Sequence, residues 1–226
     1  MPSPPAARPP QLQGVEHTLY LPMIVRAQAA LLCPWMDPHD QYARNMLAQT
    51  GPIVFAYPTD PATVINILWR TQKIRQIGLD FFERFAHVQG INLGAGLANY
   101  FQWLDTGLNH WLDVDLPEVV MLRTQLTPEP VARHEVLADD LRIPGWWERL
   151  GLPQQGHHHP LLLIAEGLLM YMRPTEVKAF FEEIGRHAPE GSELLCDFIS
   201  PLGIGHPSPA NRQLSGEAVA FTWGAH

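Results

Sequence analysis

Cysteine is nearly absent from this chain: Cys33 and Cys196 are the only two in 226 residues. That excludes the disulfide framework of a small secreted domain and makes a cytoplasmic protein with free thiols the default expectation. Positive charge is scarce too, with 15 Lys and Arg against 23 Asp and Glu and a formal charge of −8. Neither a nucleic-acid backbone nor an anionic membrane suits such a chain as main partner. No apolar run is long enough to span a bilayer, and the proline-rich residues 1–10 lack the charged-then-apolar layout of a secretory signal. The one histidine tract, His157-His158-His159, lies in a Gln/Gly/His/Pro loop with no cysteine nearby, and no metal site is expected. Nothing in the sequence bears on oligomeric state. What is plentiful is apolar side chain, 46% of the total, enough for one domain with a substantial core.

Residues 1–13, mostly proline and alanine, are expected to be disordered, with a single domain over 14–226. Within it, 14–61 is expected to form a helical cap over a cleft: a helix over 14–30, a turn at 34–38, a short helix over 40–49 and a proline-rich loop to 61. Residues 62–86 carry a long amphipathic helix, with Ile67, Ile74, Ile77, Phe81 and Phe85 on one face. Helices are also expected over 117–126, with Arg123 on the exposed side, and over 174–187, where Pro174 suits the first turn. Between them lie five strand-like runs: one around Val88, Ile91 and Leu93, then 111–115, 134–138, the wholly apolar 161–165, and 193–198. Residues 218–223 are left open between a strand and a helix end. Strands alternating with helices predict an α/β fold with a largely parallel sheet and right-handed crossovers.

The chemistry concentrates at the strand ends. The first strand breaks into Gly94-Ala95-Gly96, and a helix is expected over 97–104. Glycines there let a ligand approach the backbone, and the amides of turn and helix start would suit an anion. Asp115 ends the second strand, where a carboxylate can accept from a ribose diol. Asp139-Asp140-Leu141 come after the third; acids there either accept from an exocyclic amine or cap the next segment. Glu166 comes after the fourth, at a ligand-binding rim or as a cap, with Tyr171 in the apolar stretch behind it. Arg26 and Arg70 lie on helices, where an arginine is either solvated or, if turned into the cleft, a partner for a ligand carboxylate. Asn99 stands where a dinucleotide fold prefers a small residue, which favours another adenosine-containing ligand over NAD.

The runs 92–97, 113–119 and 165–172, in that order, resemble the leucine carboxyl methyltransferase family, and the likeness extends over about 14–198. The resemblance implies a Rossmann-like class I methyltransferase fold with a mostly parallel central sheet and helices on both faces. It implies S-adenosyl-L-methionine as cofactor, with S-adenosyl-L-homocysteine as product. The activity implied is O-methyl transfer to a carboxylate or hydroxyl of a small, polyketide-like acceptor. Carried over by residue, Arg70 and Arg26 go to the methionine end of the cofactor and Gly94, with Ala95 and Gly96, to its backbone. Asp115 goes to the ribose, Asp140 and Leu141 to adenine, Glu166 to the amino group, and Tyr171 to acceptor orientation. The chain departs from the pattern at Ala98-Asn99-Tyr100, where many relatives carry an Asp-Thr-Arg-like stretch, and the usual C-terminal β-hairpin is expected to be missing. A nucleoside-binding module without catalysis is the main alternative, and an NAD-dependent oxidoreductase the lesser one.

Overall fold

The computed structural model describes residues 18–50, 60–126, 132–206 and 220–225. The tail predicted for 1–13 and most of the proline-rich loop before residue 60 lie outside them.

Five parallel strands make the sheet: β1 (Gln89–Leu93), β2 (His110–Asp115), β3 (His134–Ala138), β4 (Leu161–Ala165) and β5 (Glu193–Cys196). Their spatial order is β3-β2-β1-β4-β5, so the chain reverses its direction of travel between β1 and β4. The alternation of β4 shows why the sheet needs cover on both sides. Leu161, Leu163 and Ala165 enter a cluster with Trp146, Trp147, Val177 and Phe180, from α7 (Trp146–Arg149) and α8 (Pro174–His187). Leu162 and Ile164 enter the opposite cluster, with Phe81 and Phe82 of α4 (Pro61–Arg84) and with Phe101 and Leu104 of α5 (Phe101–Leu104). Helix α4 starts where Asp60 accepts the amides of Ala62 and Thr63, with Pro61 in the first turn.

In the register of β1 and β2, Gly90 faces Trp111. A Cβ on Gly90 would lie 2.2 Å from the Trp111 ring, between two fully packed layers. Gly90→Ala is therefore expected to destabilise the fold by about 3 kcal/mol, at the upper end for overpacked cores. Urea unfolding followed by tryptophan fluorescence checks it, and an unchanged midpoint would contradict this packing.

Several boundaries differ from the sequence expectation. The helix over 14–30 is split into α1 (Tyr20–Ala27) and α2 (Ala29–Leu32); a short 3₁₀ turn, Pro34–Met36, precedes α3 (Gln41–Gln49), which Asp40 caps. The helix expected over 97–104 is only Phe101–Leu104. Its missing turn has a cause: the carbonyls of Gly96, Leu97 and Ala98 accept from arginine side chains rather than from helical amides. Arg123 of α6 (Pro117–Leu126), expected at the surface, is one of those donors and is buried. The fifth strand stops at Cys196, because Asp197 turns away to bind the loop after β4. Residues 220–225 form neither strand nor helix; Thr222 donates from its amide to the Met170 carbonyl and Trp223 packs on the α7–α8 side. Among the described residues no strand comes after β5, and no helix is long and apolar enough to cross a membrane.

Candidate functional site

The carboxyl ends of β1 and β4 part where the strand order reverses, the place at which open α/β sheets hold ligands. A cleft opens there in two lobes, of about 190 Å³ and about 770 Å³. Asp115, Asp140 and Leu141 line the smaller lobe; Arg26, Arg70 and Glu166 line the larger. Thr18, Leu19, Gly94, Gly167 and Tyr171 line both, so the predicted residues surround one continuous cleft.

Gly94 and Gly96 sit at φ of 70° and 51°, in the left-handed region. A Cβ on Gly94 would meet Leu168 at 2.8 Å, and one on Gly96 would meet Leu19 at 3.0 Å, so the turn is hemmed in from both sides. Its amides are not presented to an anion as expected. Those of Gly94 and Ala95 donate to the Val114 carbonyl and that of Gly96 to Asp115, so the amides hold β1 to β2 instead. What Gly94 and Gly96 offer the cleft is backbone without side chains of their own, in the narrow space that Leu168 and Leu19 leave.

Asp115 accepts from the Gly96 amide at 2.6 Å and the Leu116 amide at 2.8 Å. Burial raises its carboxyl above the ordinary range, against the pull of those two bonds. Asp140 accepts from the backbone amide and the guanidinium of Arg142, which lowers its carboxyl, while Asp139 pairs with Arg149. Leu141 is buried beside them.

In the larger lobe the Arg70 guanidinium stands between two acids, its Nε 2.6 Å from Glu166 Oε1 and its Nη1 2.5 Å from Asp197 Oδ2. Asp197 Oδ1 accepts from the Gly167 amide, which ties β5 to the loop after β4. The other oxygen of Glu166 accepts from the Tyr100 hydroxyl at 2.5 Å. Burial works against the Glu166 charge, but Arg70, Arg26 and the Tyr100 bond outweigh it and hold the carboxyl below its usual value. Arg70 is likewise opposed by burial and held above its usual value by Glu166 and Asp197. Arg26, on α1, donates to Asp40 at 2.9 Å and to the Leu97 carbonyl at 3.0 Å. Three carboxylates and two guanidiniums thus gather at this end, an arrangement suited to a ligand that brings positive charge of its own. Tyr171 lies in the 3₁₀ turn Leu169–Tyr171, its ring 5.7 Å from that of Phe221.

A comparison with protein families matches residues 24–185, well over half of the chain, to the model of leucine carboxyl methyltransferases. The chain belongs to the leucine carboxyl methyltransferase family. Over 114 residues it is 26% identical to the tetracenomycin polyketide synthesis O-methyltransferase TcmP of Streptomyces glaucescens, covering 50% of this chain and 39% of that one. Over 230 residues it is 23% identical to the S-adenosyl-L-methionine-dependent methyltransferase dpfgK of Gibberella zeae, covering 94% of this chain and 76% of that one. The matches span under two fifths of the length of several curated relatives, the Streptomyces protein among them. Among solved structures, the carbon methyltransferase CurJ superposes with a TM-score of 0.52 over 89% of this chain and 51% of that one, at 11% identity, a likeness of fold.

Within this leucine carboxyl methyltransferase family chain, the structure adds residues that sequence reasoning missed. Asp197 is one, and the strand-end rule that found Glu166 would have found it had β5 been ended two residues sooner. Tyr100 is another: the departure at Ala98-Asn99-Tyr100 carries a buried contact of its own to Glu166. Asp40 and Arg123, which hold the glycine loop through Arg26 and directly, had no local signal.

Proposed function

We propose that this protein binds S-adenosyl-L-methionine and catalyses methyl transfer to an oxygen of a small-molecule acceptor, a carboxylate in preference to a hydroxyl. The observation that carries it is the single cleft at the β1–β4 switch, with Asp115 in one lobe and the Arg70–Glu166 pair in the other. In this reading Asp115 receives the ribose hydroxyls, Asp140 and Leu141 flank adenine, and Gly94, Ala95 and Gly96 let the cofactor lie against bare backbone. Glu166 takes the ammonium group. Arg70, whose Nη2 is 3.9 Å from where a Cβ on Gly167 would stand, faces the carboxylate. Arg26 acts through the loop it holds, because it donates to Asp40 and to the Leu97 carbonyl. The bound cofactor supplies an activated methyl group on a sulfonium, and the protein supplies alignment and electrostatics.

A carboxylate acceptor is already an anion and needs no base, whereas a phenol requires one within reach. Among the described residues no histidine lines either lobe. His187 stacks on Trp147 and bonds Gln154, away from the cleft. We assign Tyr171 to orienting the acceptor and the segment 14–61 to capping the cleft, which Thr18, Leu19, Leu21, Pro22 and Arg26 line. The two free thiols, Cys33 and Cys196, favour a reducing compartment, the cytoplasm.

Calorimetry with S-adenosyl-L-methionine and S-adenosyl-L-homocysteine, followed by a radiolabelled methyl-transfer screen over carboxylic acids and phenols, tests the whole. Binding with transfer to a carboxylic acid is expected. Binding without transfer to any acceptor would favour the nucleoside-binding module, and no binding would remove the proposal. Once an acceptor is found, Tyr171→Phe should slow turnover about tenfold or more; unchanged turnover would remove Tyr171 from the reaction.

A further inference from the structure

We propose that Tyr100 is a positioning residue that sets the orientation and the charge of Glu166 in the cofactor site. The inference rests on the proposed function, in which Glu166 receives the ammonium group of S-adenosyl-L-methionine.

A buried carboxylate keeps its charge only when donors satisfy both oxygens. Glu166 has one strong donor on each: Arg70 Nε at 2.6 Å on Oε1 and the Tyr100 hydroxyl at 2.5 Å on Oε2. The two donors come from different elements, Arg70 from the middle of α4 and Tyr100 from the residue that precedes α5. Together they leave the carboxylate no rotation that keeps both bonds. Tyr100 is itself held: it is 1% exposed, and its ring meets that of Trp103 edge-on at 5.7 Å. Its backbone continues directly from the loop whose carbonyls Arg26 and Arg123 hold. The glycine turn after β1 and the acid after β4 are therefore linked by one buried hydroxyl. Burial and the neighbouring carboxylate keep that hydroxyl protonated, so it is always a donor.

The groups facing Glu166 are Arg70 from α4, Arg26 from α1 and Tyr100; Asp197, beyond β5, reaches it through Arg70. Removing the hydroxyl leaves Oε2 without its donor, which raises the carboxyl's pKa and lets its orientation relax. Since the ionised form receives the ammonium group, binding is then lost at a higher pH as the solution is acidified.

The test is calorimetric titration of the full chain with S-adenosyl-L-homocysteine, from about pH 4 to about pH 7, for wild type, Tyr100→Phe, Glu166→Gln and the double variant. Tyr100→Phe should move the acidic limb of affinity upward by about one pH unit. Affinity should fall progressively below wild type toward the acid end, approaching a difference of about tenfold only below both limbs, and return toward wild type at the alkaline end. In the double variant, Tyr100→Phe should add nothing to the loss from Glu166→Gln. A uniform loss at every pH, an unmoved limb, or losses that multiply in the double variant would overturn the assignment. Failure of the wild type to bind would remove the cofactor reading and this inference together, whereas wild-type binding with an unmoved Tyr100→Phe profile removes only this one. Should Tyr100→Phe not fold, wild type carrying ¹³Cζ-tyrosine gives the same answer, its signals assigned by substituting the other four of its five tyrosines. The Tyr100 signal should shift in Glu166→Gln, and an unshifted signal would overturn the proposal.

Discussion

Arg70→Ala should weaken binding of S-adenosyl-L-homocysteine by about a hundredfold or more, a loss of about 2.7 kcal/mol. The expectation comes from the charges that the guanidinium separates. Glu166 and Asp197 both bond to it, and both are largely buried, so its removal leaves two like charges facing one another without a cation between them. Removing one partner of a buried ion pair costs about 3–5 kcal/mol, mostly the penalty of the stranded charge. Without the guanidinium, burial is no longer outweighed at Glu166 and favours its protonated form, and an acid that has become neutral no longer attracts an ammonium group. Arg70→Lys should recover only part of the loss, because an ammonium cannot serve Glu166 and Asp197 from a planar fork. Calorimetry on the three proteins measures this directly. Affinity for Arg70→Ala within about threefold of wild type would separate Arg70 from the cofactor.

Asp113→Asn should have the larger effect on stability, a loss of about 3–5 kcal/mol in urea unfolding at neutral pH. Asp113 is wholly buried in β2 and accepts from four side chains: Arg123, His134 at 2.6 Å, Trp111 Nε1 at 2.9 Å and Asn92 Nδ2 at 3.1 Å. The amide keeps the shape and loses the charge, so buried Arg123 loses the counter-charge that Asp113 supplies. The loop should loosen as well, since Arg123 also holds the carbonyls of Gly96 and Ala98. Burial opposes the charge of Asp113, yet Arg123 and His134 outweigh it and lower the carboxyl's pKa in the folded state. A depressed folded value stabilises the protein above the unfolded carboxyl pKa of about 3.9, and that contribution fades as pH falls through the folded value. Wild-type stability should therefore drop more steeply than that of Asp113→Asn below about pH 4. Parallel acid limbs would contradict the ion pair.

The two variants also separate two kinds of buried charge that look alike in sequence. Arg70 and Glu166 face the cleft and should govern binding. Arg123 and Asp113 lie beneath the glycine loop and should govern whether there is a loop to bind on. The heptapeptide 113–119 holds both kinds: Asp113 and Asp115 share a face of β2, and only their distance from the strand's carboxyl end separates the acid inside the sheet from the acid at its rim.

Much of the architecture was legible because local pattern is enough to specify it. Strands β3 and β4 and helices α6 and α8 fall on the expected residues, each marked by apolar periodicity and by a proline or acid at its edge. The acids at strand ends, Asp115, Asp140 and Glu166, were legible for the same reason: in a parallel sheet every strand delivers its carboxyl end to one rim. The short helix after the glycine turn was not. Its first carbonyls are taken by arginines far away in sequence, and no local preference encodes that competition.

The order of apolar and polar residues determined by itself that this chain makes a parallel sheet between helix layers and brings acids to one edge. Only the tertiary structure decided which charges are partners: Arg70 with Glu166 and Asp197, Tyr100 with Glu166, Arg123 with Asp113. Periodicity reports which face of an element is covered. It is silent on a charged group whose burial depends on a counter-charge brought from another element, because that stabilisation exists only once the two elements have met.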